Sequence, residues 1–213
     1  MSPYGNAKLA AEKNVRTLLD TFGIPWTNLV FHNVVGVGQQ YNNPARNVAS
    51  MLLNMALHGK PLFIHGEGRQ SRVFTPWEDV AFAILELVTD VHGRYDGLTL
   101  NIGPGAQHRL SVRDLCGVIA RVAARQTGRP YVLDLRSTGV QTLASLQTAF
   151  CNDDRYRGLF GAAPAPDLER TLDRMAKAIL ARQKEFDYRP FRKADLPLSA
   201  IPAYRDRVFR LRP

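Results

Sequence analysis

The stretch Ile24-Pro-Trp-Thr-Asn-Leu-Val-Phe-His-Asn-Val-Val35 limits the fold more than any other part of the chain. It is rich in β-branched and aromatic residues and nearly continuous in apolar character. That is the pattern of a strand buried on both faces, as in a parallel sheet covered by helices. Gly36-Val-Gly38 ends it. A helical pattern precedes it, with Leu9, Val15, Leu18 and Leu19 apolar, Glu12, Lys13 and Arg16 between them, and Gly23 as a stop. Helix, strand and glycine turn in this order predict an α/β protein whose ligands gather at strand ends.

The elements that follow keep to that plan. Asn47 to His58 has a helical apolar face and is closed by Gly59-Lys-Pro61. Leu62 to His65 and Ser71 to Phe74 are short strand patterns separated by Gly66-Glu-Gly68, which predicts a hairpin. Pro76 to Val91 is expected to be a helix, capped by Glu78 and Asp79 and turning Val80, Ala83, Ile84, Leu87 and Val88 inward. Leu98 to Gly103 is a strand pattern, and Ser111 with Asp114 forms a capping box for a helix through Arg125. Tyr131 to Leu135 is a further strand, Gly158 to Pro166 a loop, and Asp167 caps a last amphipathic helix. Beyond Tyr188 lie Pro190, Pro197, Pro202, Pro213 and seven basic residues, the composition of an irregular arm.

The formal charge of +9 raises the question of nucleic acid. No run of five or six basic residues occurs, and aromatics do not alternate with the basic ones as a stacking platform needs. The excess suits an anionic small molecule such as a nucleotide diphosphate. No apolar run approaches the roughly 20 residues of a membrane span. The two cysteines have no metal spacing, and the five histidines are scattered. A reduced, cytoplasmic setting is therefore expected, with no metal site.

The opening Met-Ser-Pro-Tyr4-Gly-Asn-Ala-Lys8 carries the first chemistry. Tyr4 and Lys8 are four apart and share one helix face. An ammonium beside a phenol favours the phenolate, the form that can accept a proton. Tyr-x-x-x-Lys alone is a short pattern found in many proteins, and it gains weight only from what accompanies it.

The accompaniment is an ordered series. Ser-Pro-Tyr4-x-x-x-Lys8 is followed by Phe31-His-Asn33-Val-Val-Gly36-Val-Gly38-Gln39, Asn43-Pro44 and Gly59-Lys-Pro61. Then come Gly66-Glu-Gly68-Arg-Gln70-Ser-Arg72-Val-Phe74, Glu78-Asp-Val-Ala81, Asn101-Ile-Gly103 and Leu110-Ser-Val112. Over roughly residues 2 to 180 this resembles the C-terminal half of the extended short-chain dehydrogenase/reductase family, the NAD-dependent nucleotide-sugar epimerases and dehydratases.

The resemblance implies a partial Rossmann-type parallel sheet with a small α/β substrate-binding region over 1–180, and a basic, proline-containing arm over 181–213. It implies Tyr4 as the catalytic acid/base and Lys8 as its partner, both also facing the nicotinamide ribose of NAD or NADP. It implies substrate-binding roles for Asn33, Arg72 and Arg136 at the diphosphate of a nucleotide sugar. Arginine suits that role through paired, charge-assisted hydrogen bonds. The Arg136 motif is one residue off in its spacing to Gly139, and Val30 stands where relatives usually carry arginine. Gln39 is a candidate to line the site, as is His32, for which a packed strand residue is the preferred reading.

The strand–GxxGxxG–helix of the family is absent from this sequence, as is the upstream Ser or Thr of the catalytic set. The expected function is epimerisation, with dehydration as the related outcome, through a transient keto-sugar and with a cofactor-binding half supplied from elsewhere; this chain alone is then inactive. A non-catalytic binding or assembly module is the alternative. A homodimer or an N-terminal Rossmann half are the expected partners, with no nucleic acid and no membrane.

Overall fold

The computed structural model describes residues 3–42, 47–105, 108–137, 152–160 and 167–182. Asn43-Pro44, Gly139 and nearly all of the basic arm lie outside them. Helix α1 (Pro3–Thr21) leads into strand β1 (Thr27–Phe31) and the short β2 (Val34–Val35). Helix α2 (Val48–Leu57) follows, then β3 (Leu62–Ile64), β4 (Ser71–Arg72), β5 (Thr75–Pro76) and helix α3 (Trp77–Val88). After β6 (Leu98–Ile102) and β7 (Leu110–Ser111) come α4 (Val112–Thr127), β8 (Leu135–Ser137), α5 (Asp154–Phe160) and α6 (Leu168–Arg182).

The parallel sheet is present in its expected place. β1 and β6 run parallel, with Thr27 opposite Leu98 and Leu29 opposite Leu100. The predicted single strand to Val35 is broken, however. Asn33 sits at φ +40°, a left-handed conformation that interrupts pleating and is rare outside glycine and Asn. The chain then restarts as β2, which pairs in parallel with β5.

Three other expectations are corrected. The hairpin between Leu62–His65 and Ser71–Phe74 does not form. β3 pairs in parallel with β8, and β4 runs antiparallel to β7. Each short strand thus finds a partner far along the chain, which local spacing does not encode. The strand expected at Tyr131–Leu135 begins only at Leu135. Tyr131 instead donates its hydroxyl to the Lys60 carbonyl at 2.6 Å, tying the approach of β8 to that of β3. Helix α3 starts on Pro76 without a side-chain cap. Glu78 turns away to Arg174 at 2.6 Å, Asp79 is buried, and Ile84 and Val88 face solvent.

Among the described residues two apolar cores result. The larger joins α2, α4 and α6 over β3, with Leu52, Leu53, Leu115, Ile119, Leu172 and Met175 fully or almost fully buried. Burying side chains of this size stabilises by roughly 1.5–3 kcal/mol each, so these helices hold themselves together. Ser111 and Asp114 form the expected capping box at the start of α4, and Gly128 in the left-handed conformation ends it. Arg121 and Arg125 bridge from α4 to Glu169 and Asp173 of α6. Asp167 accepts from the Arg170 amide at 2.8 Å and starts α6 as expected. The smaller core holds Ala83, Leu100, Ile102 and Tyr156, with Leu29 and Phe160 packed on it. It supports the β1–β6 pair. Helix α5, which supplies Tyr156, is not expected from the sequence, and it runs through Gly158 to Phe160, where a loop is expected to begin.

Candidate active site

Helix α1 presents Tyr4 and Lys8 together. The Lys8 ammonium lies 5.7 Å from the centroid of the Tyr4 ring, within cation–π range. Both side chains are exposed, Tyr4 by 73%. They open onto a cleft of about 720 Å³ whose far wall is β1, from Trp26 to Phe31. Helix α1 has no buried residue, and Trp26 ties it to the body. The Trp26 indole donates to Asp20 Oδ1 at 2.6 Å, and the Arg16 guanidinium lies 4.8 Å from its ring. The Trp26 amide donates to Asp96 Oδ1 at 2.7 Å, just before β6. Sequence reasoning took Trp26 as a strand residue; its six-residue separation from Asp20 across Gly23 is the signal that was available.

Asn33 lies at the end of β1 and is exposed. Its side-chain amide donates to the Val73 carbonyl at 2.9 Å. The Thr75 amide donates to the Asn33 carbonyl at 3.2 Å, and the Thr75 hydroxyl to that of His32. Asn33 therefore clips the end of the parallel strand to the segment that follows Arg72. Gly36 is needed beyond it. A Cβ there would come within 2.7 Å of the Trp77 side chain, closer than any real contact, so only glycine lets α3 start where it does.

Arg72 is half-buried on β4, its Nη1 donating to the Ser71 carbonyl at 2.7 Å. Burial lowers its pKa from the ordinary arginine value. An arginine remains charged at neutral pH all the same. Arg136 lies on β8 opposite Phe63 of β3 and is exposed. Asp134 holds it, with Nε at 3.1 Å and Nη2 at 2.8 Å from Oδ2. Gln39 donates to the Val34 carbonyl at 2.6 Å. The His32 Nε2 atom is buried without a hydrogen-bond partner. Tyr4, Lys8 and β1 share the cleft; Asn33 and Arg72 are linked through the Val73 region, and Arg136 stands on a separate strand pair.

One buried acid escaped sequence reasoning. Asp79, almost fully buried at the start of α3, has its carboxyl pushed up to about 6, by burial first and by Glu78 next, against the pull of Arg157. Among the described residues no group of His, Cys, Asp or Glu could hold a metal ion, and no helix is long and apolar enough to cross a membrane.

Residues 1–103 match the NAD dependent epimerase/dehydratase family. The match takes in 103 of the 213 residues, just under half of the chain. An uncharacterised UDP-glucose epimerase of Bacillus subtilis is 36% identical over 126 residues, covering 59% of this chain and 37% of that protein. A dTDP-glucose 4,6-dehydratase of Neisseria meningitidis is 34% identical over 125 residues, covering 57% and 33%. In fold, the chain is similar to the UDP-glucuronic acid 4-epimerase of Bacillus cereus, solved with UDP-glucuronic acid and NAD. The TM-score is 0.70 at 22% identity, over 85% of this chain and 54% of that one. The chain thus spans about a third of the length of these curated family members and about half of the solved one. The Rossmann-type α/β class expected from the sequence agrees with this fold.

Proposed function

We propose that this chain is the catalytic-helix and substrate-binding half of an NAD-dependent epimerase acting on a nucleotide-diphosphate sugar. The observation that carries the reading is the Tyr4–Lys8 pair, side by side at the mouth of a cleft large enough for a sugar and a nicotinamide riboside. Both residues fall within the family match. Tyr4 takes the proton from a sugar hydroxyl and returns it when the keto form is reduced, and Lys8, beside its ring, faces the phenolate that exists before the first transfer and after the second. When bound, NAD supplies the hydride acceptor and donor that carry the sugar through a keto form.

The residues of this chain fit the ribose end of that cofactor. They do not fit its pyrophosphate, because no GxxGxxG turn exists in the sequence. Turnover therefore needs a cofactor-binding half in addition. Arg72 binds the sugar diphosphate as an already partly desolvated cation. Asn33 keeps one amide hydrogen for a phosphate oxygen while its other holds Val73. Arg136 joins them only by sharing its guanidinium with Asp134. Remote binding energy of this kind positions the reacting carbon.

Calorimetric titration with UDP and UDP-glucose tests the binding half of the reading. The chain is expected to bind both, and Arg72→Ala to weaken both by at least about tenfold, the loss of one charge-assisted contact. Binding unchanged by Arg72→Ala overturns the diphosphate assignment. Joined to a cofactor-binding half, the chain is expected to convert UDP-glucose, and Tyr4→Phe to abolish conversion with UDP-glucose affinity retained. Binding without turnover in the joined protein leaves the non-catalytic module as the function.

A further inference from the structure

Helix α3 turns an uncharged stripe outward. Val80 and Ala83 pack into the smaller core, whereas Trp77, Ile84 and Val88 recur at spacings of seven and four, which keep to one face of a helix. They are 48%, 42% and 72% exposed, and Leu85 beside them is 60% exposed. Val91, just past the helix, is more exposed still. Single apolar residues on a surface are ordinary, but a contiguous stripe marks a contact. Among the described residues no element lies over this one.

The last helix ends beside it. Arg182, the final residue of α6, lines a small pocket with Gly36, Val37 and Gly38. Gly36 in turn lies against Trp77, so closely that a Cβ has no room there. Val37, itself exposed, continues the apolar surface from that point. The chain leaving Arg182 therefore sets out from the Trp77 end of the stripe. From Trp77 to Val88 the stripe is roughly 16 Å long, a span of about five extended residues, and residues 183–213 are there to cover it.

Those residues have the matching chemistry. Phe191, Leu198, Ile201, Tyr204 and Phe209 supply apolar groups, and Pro190, Pro197 and Pro202 favour extended chain over helix. Beyond Tyr188 the seven basic residues face only two acids, Asp195 and Asp206. Helix α3 is the reverse, with Glu78, Asp79 and Glu86 and no basic residue. Glu78 and the following Asp90 already hold Arg174 and Arg94. Glu86 and the negative carboxyl end of the helix supply the attraction, and burial of the stripe adds to it.

We infer that the outer stripe of α3 is the docking surface of this chain's own basic arm, residues 183–213, which crosses it from Trp77 towards Val88. The inference does not rest on the proposed function, whose residues lie on other elements. A second copy fits the stripe less well, because a two-fold pairing sets an acidic helix against itself.

Photo-crosslinking in the intact chain tests this. Leu85→benzoylphenylalanine is expected to bond to a peptide from 183–213 at the mass of one chain. Val132→benzoylphenylalanine, at an exposed position on the approach to β8, is expected not to. No arm adduct from position 85 overturns the inference, and so do equal adducts from both positions. An adduct at twice the chain mass makes a second copy the occupant and overturns it too.

A second measurement needs no crosslinker. Leu85→Asp with Val88→Asp changes only exposed positions and is expected to leave the body folded. Trypsin should then cut after Lys193, Arg207 and Arg210 at least about tenfold faster than in the unaltered chain, since cleavage follows the undocked population. Val132→Asp is expected to leave those rates unchanged. Arm cleavage indifferent to the two α3 substitutions overturns the docking.

Discussion

The side-chain amide of Asn33 donates to the backbone carbonyl of Val73 at 2.9 Å, joining the end of the parallel strand to the segment that carries Arg72. The bond and the backbone conformation act together, since Asn33 holds φ +40° and asparagine tolerates that region better than most residues. Asn33→Ala should lose the bond and strain the backbone, destabilising by about 1–3 kcal/mol. Asn33→Gly should recover the part due to strain and not the part due to the bond. Urea unfolding of the two variants separates them, and UDP affinity should fall in both if the clip positions Arg72.

Asp79 gives the protein a pH-dependent stability of unusual sign for a carboxylate. Its carboxyl is pushed up to about 6 in the folded chain, while an unfolded aspartate titrates near 3.9. The folded state therefore keeps a proton that the unfolded state has released. The contribution is full below about pH 4 and is lost as pH rises through about 6, on the order of 2–3 kcal/mol in all. Asp79→Asn should raise the melting temperature at pH 8 and flatten its pH profile between 4 and 7. An unchanged profile would remove Asp79 as the cause.

Cys116 is fully buried in the larger core, and burial pushes its thiol up to about 11, with Arg113 pulling slightly the other way. Thiolate is the reactive form. A thiol reagent at pH 8 should leave Cys116 unmodified until denaturant is added, and peptide mapping checks this. Rapid labelling in the native state would show that α4 opens far more readily than its packing implies.

Gly36→Ala should force the Trp77 side chain from its place, because the added Cβ meets it at 2.7 Å. A cost of about 1–3 kcal/mol is expected, as for overpacking generally. Trp77→Gly in the same background, which removes the Trp77 Cβ as well as the ring, should recover part of it. A double-mutant cycle with no coupling between the two would place the effect elsewhere.

Much of this architecture was legible because it depends on local chemistry. The capping box at Ser111 and Asp114, the Asp167 cap and the apolar face of α6 are all short-range signals, and each formed where expected. The Tyr4–Lys8 proximity followed from helix periodicity alone. Strand pairing was not legible in the same way. Leu62 of β3 pairs with Leu135 of β8, 73 residues on, and Ser71 of β4 with Ser111 of β7, 40 residues on, so the hairpin inferred from Gly66-Glu-Gly68 gave way to long-range partners. The break at Asn33 was hidden because apolar residues lie on both sides of it. Asp79 resembled an ordinary helix-start acid, since nothing in its sequence neighbourhood announces its burial.

The two cores divide the consequences of mutation. Damage to the α2–α4–α6 cluster, as in Leu52→Ala, would fall on whether the polypeptide persists in a cell at all. Damage around Leu29, Leu100 and Tyr156 would leave a well-folded body whose strand pair no longer presents the right shape to anything else. A genetic screen for lost activity would thus collect two kinds of defect from one short chain: scarcity from the first core, and solitude from the second.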